Sequence, residues 1–193
     1  MNCRILFALF IACNVAATAS VDSCLAKLRP ELTVGEKDLL DVSDRWTELR
    51  RIEDAEREIF LRNAGYADST GSIPSKIRVD EIVSCPMMNE EDTLELRLIR
   101  VVGIEGTKDE NIYVVTTRHR EIVARSLIAA LQATCESTFL RACTMEDDGS
   151  IRVGQLRHDF DCEKDEFLKT ETLPGLTVRI RDDGSIHETV EGE

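Results

Sequence analysis

The sequence has few of the residues and motifs that mark common enzymes. Aromatic residues make up 5% of its 193 positions, and there are only three histidines, the usual acid–base groups at neutral pH. It has no G-x-S-x-G elbow, no H-E-x-x-H motif, no P-loop and no G-x-G-x-x-G segment. The chain therefore lacks the local signatures of most common hydrolases and nucleotide-using enzymes.

The chain is also short of positive charge. Its 24 lysines and arginines face 37 aspartates and glutamates, which gives a formal net charge of −13. Such a chain repels phosphate, and no lysine- or arginine-rich block offsets the balance. Nucleic acid is therefore excluded as a predicted partner, and a basic protein, a metal ion or solubility alone remain as explanations of the charge.

The N-terminal segment has the order of a signal peptide. Arg4 precedes an apolar run over residues 5–12, and the small residues Ala17 and Ala19 suit a signal peptidase. The run is interrupted at Cys13, well before the roughly 20 apolar residues that a membrane-spanning helix needs. We therefore predict that residues 1–19 are a signal peptide and that the mature chain is secreted, with no membrane span.

A second interpretation of this segment is a bacterial lipoprotein. Residues 10–13 resemble a lipobox, in which Cys13 is acylated and becomes the new N-terminus. This alternative places the protein in the periplasm or on an envelope surface, held by lipid.

The mature chain keeps an odd number of cysteines. Five remain in an oxidising compartment after the signal segment is removed: Cys24, Cys85, Cys135, Cys143 and Cys162. That number predicts two disulfides with one thiol left over, or a dimer linked through the odd cysteine. Neither a CxxC pair nor a cysteine–histidine spacing of the zinc type occurs, so we predict no metal site and no cofactor.

The first half of the mature chain shows one helix pattern followed by strand patterns. Apolar residues recur at three- and four-residue intervals from Leu39 to Phe60, after a capping pair at Thr33 and Glu36 and before Gly65. This stripe predicts an amphipathic helix. Apolar alternation then predicts three strands, at residues 77–79, 94–102 and 112–116.

The second half of the chain repeats that order. Thr117 is a candidate cap for a helix whose apolar stripe runs from Val123 to Cys135 and which ends near Cys143. Three further strands are predicted at residues 151–162, with a bulge at Gly154, and at 176–180 and 186–190. The last two strands form a hairpin through an Asp-Asp-Gly turn.

Together these patterns predict an α+β fold. Two amphipathic helices are expected to pack on an antiparallel sheet in the order helix, three strands, helix, three strands. We expect a single domain over residues 20–193, with sub-units at 20–117 and 118–193. These sub-units would duplicate an α-β-β-β unit in topology, although no repeat of residues accompanies it.

One segment, residues 157–163, holds a histidine, carboxylates and a thiol close together in sequence. His158 and Cys162 are its candidate catalytic residues, because a thiol site requires a neighbouring base. Strand alternation places these two side chains on the face opposite the aspartates, so no carboxylate orients His158. A buried structural histidine and a disulfide cysteine are therefore the simpler interpretation.

An acidic series in the same region begins like a calcium-binding loop: Asp159, Asp161, Glu163, Asp165 and Glu166. Its sixth position is Lys164 where such a loop has glycine, and its twelfth is Thr170 rather than glutamate. We therefore predict a solvated acidic edge or loop. The other histidines, His119 and His187, are expected to be surface residues.

By elimination, the sequence favours a secreted acidic protein that binds a partner, as an inhibitor, an effector or an interaction module. Export, disulfide-capable cysteines and the lack of a catalytic constellation support this hypothesis. The alternative is a secreted enzyme whose site is assembled from distant residues, including His158 and a cysteine thiol. We expect the binding protein rather than the enzyme.

Overall fold

The computed structural model describes residues 20–35, 46, 49–88, 93–103, 108–164 and 166–192. These residues form two short helices, α1 (Val21–Leu28) and α2 (Asp54–Asn63). They also form nine strands: β1 (Arg50–Arg51), β2 (Arg78–Met88), β3 (Thr93–Val102), β4 (Lys108–Arg118), β5 (Glu121–Ala133), β6 (Ser137–Met145), β7 (Ile151–Asp161), β8 (Glu166–Ile180) and β9 (Ile186–Val190).

The nine strands make one antiparallel sheet in which each strand pairs with the strands before and after it in sequence. Three strands predicted in the first half of the chain are present as β2, β3 and β4, and each is longer than expected. The bulge predicted at Gly154 is confirmed, because the register of β7 against β8 shifts between Val153 and Gln155. The hairpin predicted at the end of the chain is β8 and β9.

The predicted α+β class is wrong, because the described residues are mostly antiparallel sheet with only two short helices among them. The second predicted helix is strand β5 followed by strand β6. β5 lies between β4 and β6, and residues 128–131 are buried whichever face they point to. A strand that is buried on both faces is apolar throughout, so it loses the period of two and imitates a helical stripe. Because this predicted helix is a pair of strands, the predicted duplication of an α-β-β-β unit is wrong as well.

Within the described residues, only the last part of the first predicted helix is helical, as α2. Arg50 and Arg51 form the short strand β1 against β2 instead. Val34, near the expected helix start, forms a bridge with Cys143, and residues 36–45 of the prediction lie outside the described part. α2 does end before Gly65, which has a φ of +85° that glycine adopts without steric penalty.

Alternate side chains of the central strands supply two separate cores. On β3, Leu94, Leu96 and Leu98 belong to the first core, which α1 covers, whereas Ile99 and Val101 belong to the second, which α2 covers. Successive side chains of a strand point to opposite faces. The two helices therefore pack on opposite faces of the sheet.

The predicted disulfide bonding is confirmed. Four of the five described cysteines form two bonds, Cys24–Cys85 and Cys135–Cys162. Cys143 is a buried thiol whose Sγ lies 3.2 Å from the carbonyl oxygen of Leu32, to which it donates. Because this thiol is buried in the first core, the structure gives no support to a dimer linked through it. Among the described residues no helix has the length and apolar character needed to cross a membrane.

Candidate functional site

His158 and Cys162, the candidate catalytic residues of the sequence, lie towards the turn of the β7–β8 hairpin. His158 lies on β7 opposite Thr170, and its Nδ1 is 2.8 Å from the Thr170 hydroxyl. Cys162 lies in the turn after β7 and is bonded to Cys135 in the turn after β5. A disulfide sulfur carries no thiolate, so Cys162 cannot serve as the nucleophile beside His158 in this state.

The two faces of this hairpin differ in character. One face carries aromatic rings, with the Phe167 centroid 5.8 Å from that of Phe160 and 6.2 Å from that of His158. On the other face Arg157 and Lys169 contact the Asp159 carboxylate at 2.7 and 3.5 Å. The hydrogen bond from the Arg157 guanidinium holds the pKa of Asp159 below its ordinary value. The carboxylate nearest to His158 in sequence is therefore committed to cations on the opposite face.

The two halves of β8 have different neighbours. Residues 176–178 pair with both β7 and β9, whereas among the described residues the segment 166–173 pairs with β7 alone, with Leu168 passed over where the register shifts. Every residue from Glu166 to Thr172 is exposed to solvent. This half of the strand, which we name the open edge (residues 166–173), therefore presents unpaired backbone donors and acceptors along one side.

Large apolar side chains are exposed on this open edge. Phe167 is 57% exposed and Leu168 is 58% exposed, more than the other exposed large apolar residues of the described part, Ile59 and Val123. Adjacent residues of a strand point to opposite faces, although the register slips between Asp159 and Phe160 at this point. Apolar surface is thus offered next to the unpaired backbone.

The open edge is held in place by its turn. The disulfide Cys135–Cys162 ties the turn after β7 to the turn after β5, and the Phe160 amide donates to the carbonyl oxygen of Glu136 at 2.8 Å. The Asp161 carboxylate accepts the Lys164 ammonium at 2.8 Å, which lowers the pKa of Asp161. The edge is therefore presented by a braced hairpin.

Of the remaining predicted site residues, the described acidic ones lie around the turn between β7 and β8, and the two other histidines lie elsewhere. Asp159 and Asp161 end β7, Glu163 lies in the turn, Glu166 begins β8, and Asp165 lies outside the described residues. His187 is on β9, 3.4 Å from the Ser185 hydroxyl. His119 was expected in the first turn of a helix, which is wrong, because it lies in the turn between β4 and β5.

Phe167 and Leu168 were not predicted as site residues, because the preceding acidic run indicated a solvated acidic edge or loop without apolar side chains. The signal was present in the alternation of threonine with charged residues over residues 169–172, which is typical of a solvated strand. Comparison of the chain with protein-family models, with curated proteins and with solved structures found no match. The geometry of the open edge is therefore the basis for a proposed function.

Proposed function

We propose that the protein is a secreted, disulfide-stabilised binding protein that takes an extended, basic segment of a partner polypeptide onto its open edge. The observation that carries the proposal is the exposed half of β8, which pairs on one side only among the described residues. An extended peptide adds to such an edge through main-chain hydrogen bonds, while side-chain contacts set its specificity. The disulfides are consistent with the extracellular location that the N-terminal segment predicts.

The open edge has the length and the surface of a docking strand. Its eight residues exceed the five or six of a typical strand. Proteins commonly protect an edge with charge or proline, and here Pro174 bounds the open edge at one end without interrupting it. Phe167 and Leu168 are exposed and do not protect the edge, because an apolar edge strand attracts another chain.

The charge of the hairpin indicates a basic partner. Six acidic and three basic residues lie between Arg157 and Glu171, within a chain of net charge −13. Charge of one sign raises the rate of encounter with the opposite sign and disfavours like-charged partners. A segment that alternates basic with apolar residues therefore complements both the field and the exposed side chains.

The disulfide Cys135–Cys162 contributes by fixing the edge before binding. A strand that is already extended loses less conformational freedom when a second strand is added. The Cys135→Ser, Cys162→Ser variant is therefore expected to bind the same segment more weakly, even where its core remains folded.

The test uses a labelled short peptide in which lysine alternates with valine. We expect it to bind, with weaker binding by the same peptide N-methylated at alternate residues, which removes the ladder donors, and by a glutamate–valine peptide. The Phe167→Ser, Leu168→Ser variant should lose about thirtyfold in affinity, since each residue contributes on the order of 1 kcal/mol of apolar contact. The control is Ile59→Ser, since Ile59 is similarly exposed, at 52%, on α2.

Two results contradict the proposal. Equal binding of the lysine–valine peptide and its N-methylated form means that no strand is added. A dimer that forms at rising concentration in sedimentation, and that the Phe167→Ser, Leu168→Ser variant abolishes, means that the edge is occupied by a second copy of this chain and not by a basic partner.

A further inference from the structure

A cavity of about 480 Å³ lies on the α2 side of the sheet, away from the features that the proposed function uses. Its wall includes four arginines, Arg50 and Arg51 from β1, Arg97 from β3 and Arg120 from the turn between β4 and β5. Its volume falls within the range of small-ligand sites. Four guanidinium groups around one cavity are unexpected in a chain with so few cations.

Arg97 is the most informative of the four. Its side chain is only 4% exposed, its Nε donates to Glu81 at 2.5 Å, and its Nη1 donates to Glu56. Its Nη2 is buried and has no hydrogen-bond partner among the described residues. A buried guanidinium nitrogen without an acceptor is unfavourable, and arginine cannot shed its proton to relieve it. Arg97, which lines the cavity, therefore keeps one buried donor that lacks an acceptor among the described residues.

The N-terminus of α2 meets the same cavity. Glu53, the residue before the helix, lines the cavity, and its side chain makes no capping hydrogen bond. The first N–H groups of a helix have no partner within the helix and carry part of its positive dipole. This ten-residue helix thus adds unsatisfied donors to the unsatisfied nitrogen of Arg97.

Most of the charge around the cavity is already paired. Glu81 accepts two bonds of 2.8 Å from Arg50 as well as that from Arg97, and Glu56 accepts from Arg97. Burial raises the pKa of Glu81, but Arg50 and Arg97 outweigh it, so Glu81 is held ionised. The lining holds four arginines and three glutamates, and Glu81, bonded to two of these arginines, is a fourth carboxylate, so the charges of the site balance.

The position of Arg120 has an energetic cost. His119 and Arg120 have φ values of +52° and +70°, so both central residues of this two-residue hairpin turn are left-handed without being glycine or asparagine. Residues held in such conformations cluster at functional sites. The turn brings the exposed Arg120 side chain to the mouth of the cavity.

We propose that this cavity binds a single carboxylate group, either from a small organic acid or from the C-terminus of a polypeptide. The planar fork of a guanidinium matches a carboxylate, and a single negative charge meets the least repulsion where arginines and glutamates balance. A doubly charged phosphate leaves a surplus of negative charge beside Glu53 and Glu95, which also line the cavity.

The experiment is a titration of the folded protein with acetate, followed by the side-chain ¹⁵N resonances of its arginines at low ionic strength. We expect saturable shifts of the Arg97 guanidinium, with inorganic phosphate binding more weakly. Arg51→Gln and Arg120→Gln change exposed residues, and each should weaken acetate binding about tenfold, the value of one charge-assisted hydrogen bond. Arg152→Gln, an exposed arginine on β7 paired with Glu191, is the control and should bind acetate normally.

A short peptide with a free C-terminus and its amide separate the two sources of carboxylate. Tighter binding of the free acid than of both acetate and the amide identifies a polypeptide terminus, and binding of acetate alone identifies a small acid. The proposal is overturned if acetate leaves the Arg97 resonances unchanged, or if it binds Arg51→Gln and Arg120→Gln as well as the unaltered protein. Neither result bears on the open edge of β8.

Discussion

Two turns of this protein have the same five residues, Asp-Asp-Gly-Ser-Ile, at positions 147–151 and 182–186. In both, the glycine N–H donates to the carbonyl oxygen three residues earlier, and the serine N–H donates to the second aspartate. The glycine φ values are +78° and +84°. Both turns lie within residues 118–193, so this short repeat does not relate the two predicted halves of the chain.

The surroundings of the two turns differ. The turn between β6 and β7 lies near α1, and its Asp148 accepts a bond of 2.7 Å from Arg179. The turn between β8 and β9 folds back onto the middle of the sheet, where the Thr116 hydroxyl on β4 donates to the carbonyl oxygen of Gly184 at 2.5 Å. Local sequence therefore determines the shape of a turn, whereas its contribution to stability depends on what it touches.

Substitution of the two glycines should separate local from tertiary effects. Gly149→Ala and Gly184→Ala both place a side chain at positive φ, which costs about 1–2 kcal/mol. At Gly184 the new Cβ would also lie 2.9 Å from Cδ2 of the buried Leu94, against 3.7 Å to the nearest atom, on Asp22, at Gly149. We expect Gly184→Ala to lose about 1 kcal/mol more, because the core must yield.

Urea unfolding with the disulfides intact measures the free energy of unfolding of both variants. Equal losses contradict the comparison, since they mean that Leu94 moves aside without penalty. The double variant Gly184→Ala, Leu94→Val supplies a check, because its unfolding free energy should show less than the sum of the two separate losses.

These turns also show what the sequence predicts well. A glycine after two aspartates supplies the left-handed backbone conformation that a tight turn needs at a fixed position. The β8–β9 hairpin and its register therefore follow from few residues. The bulge at Gly154 could be predicted for a similar reason, because the alternation of apolar residues changes phase at this glycine. Features set by local backbone chemistry could therefore be predicted.

The features that the sequence did not predict depend on contacts between distant parts of the chain. Strand β5 is apolar on both faces because it lies between β4 and β6, with the two cores on either side, and its pattern then fits a helix as well as a strand. The open edge and the arginine cavity likewise depend on which strands end early and which distant arginines meet. Only the structure brings Arg50, Arg97 and Arg120 to one wall.

Removal of the Thr116 hydroxyl tests the anchor that distinguishes the β8–β9 turn. Thr116→Val keeps the shape but leaves the Gly184 carbonyl oxygen without its donor in a buried position, for which we expect a loss of about 1–2 kcal/mol. Hydrogen exchange at the Gly184 amide should rise, while that at Gly149 stays unchanged. Thr138→Val, a half-buried threonine on β6, is the control. An equal change in the exchange rates of the Gly149 and Gly184 amides would mean that the hydroxyl does not hold the turn.

The smallest difference between the two turns is electrostatic and depends on pH. The Ser150 hydroxyl, followed by the Ser150 N–H and Arg179, lowers the pKa of Asp148 from 3.8 to about 2. The Ser185 hydroxyl and N–H lower the pKa of Asp183 in the same direction, but no arginine hydrogen bond to its carboxylate contributes. A carboxyl whose pKa is lower when folded adds stability above its ordinary pKa, and that stability is lost as the pH falls through the folded value.

Unfolding measured between pH 5 and pH 2 should therefore separate Asp148→Asn from Asp183→Asn. Asparagine keeps an oxygen that accepts from the serine, so each substitution removes the charge and leaves the turn intact. We expect the Asp148 variant to lose more of the acid dependence of the free energy of unfolding, with most of the change between pH 4 and pH 2. Added salt should shrink the difference, because Asp148 and Arg179 are both exposed and their attraction is screened. A larger change in Asp183→Asn would show that the serine bonds, rather than Arg179, set the two aspartates apart.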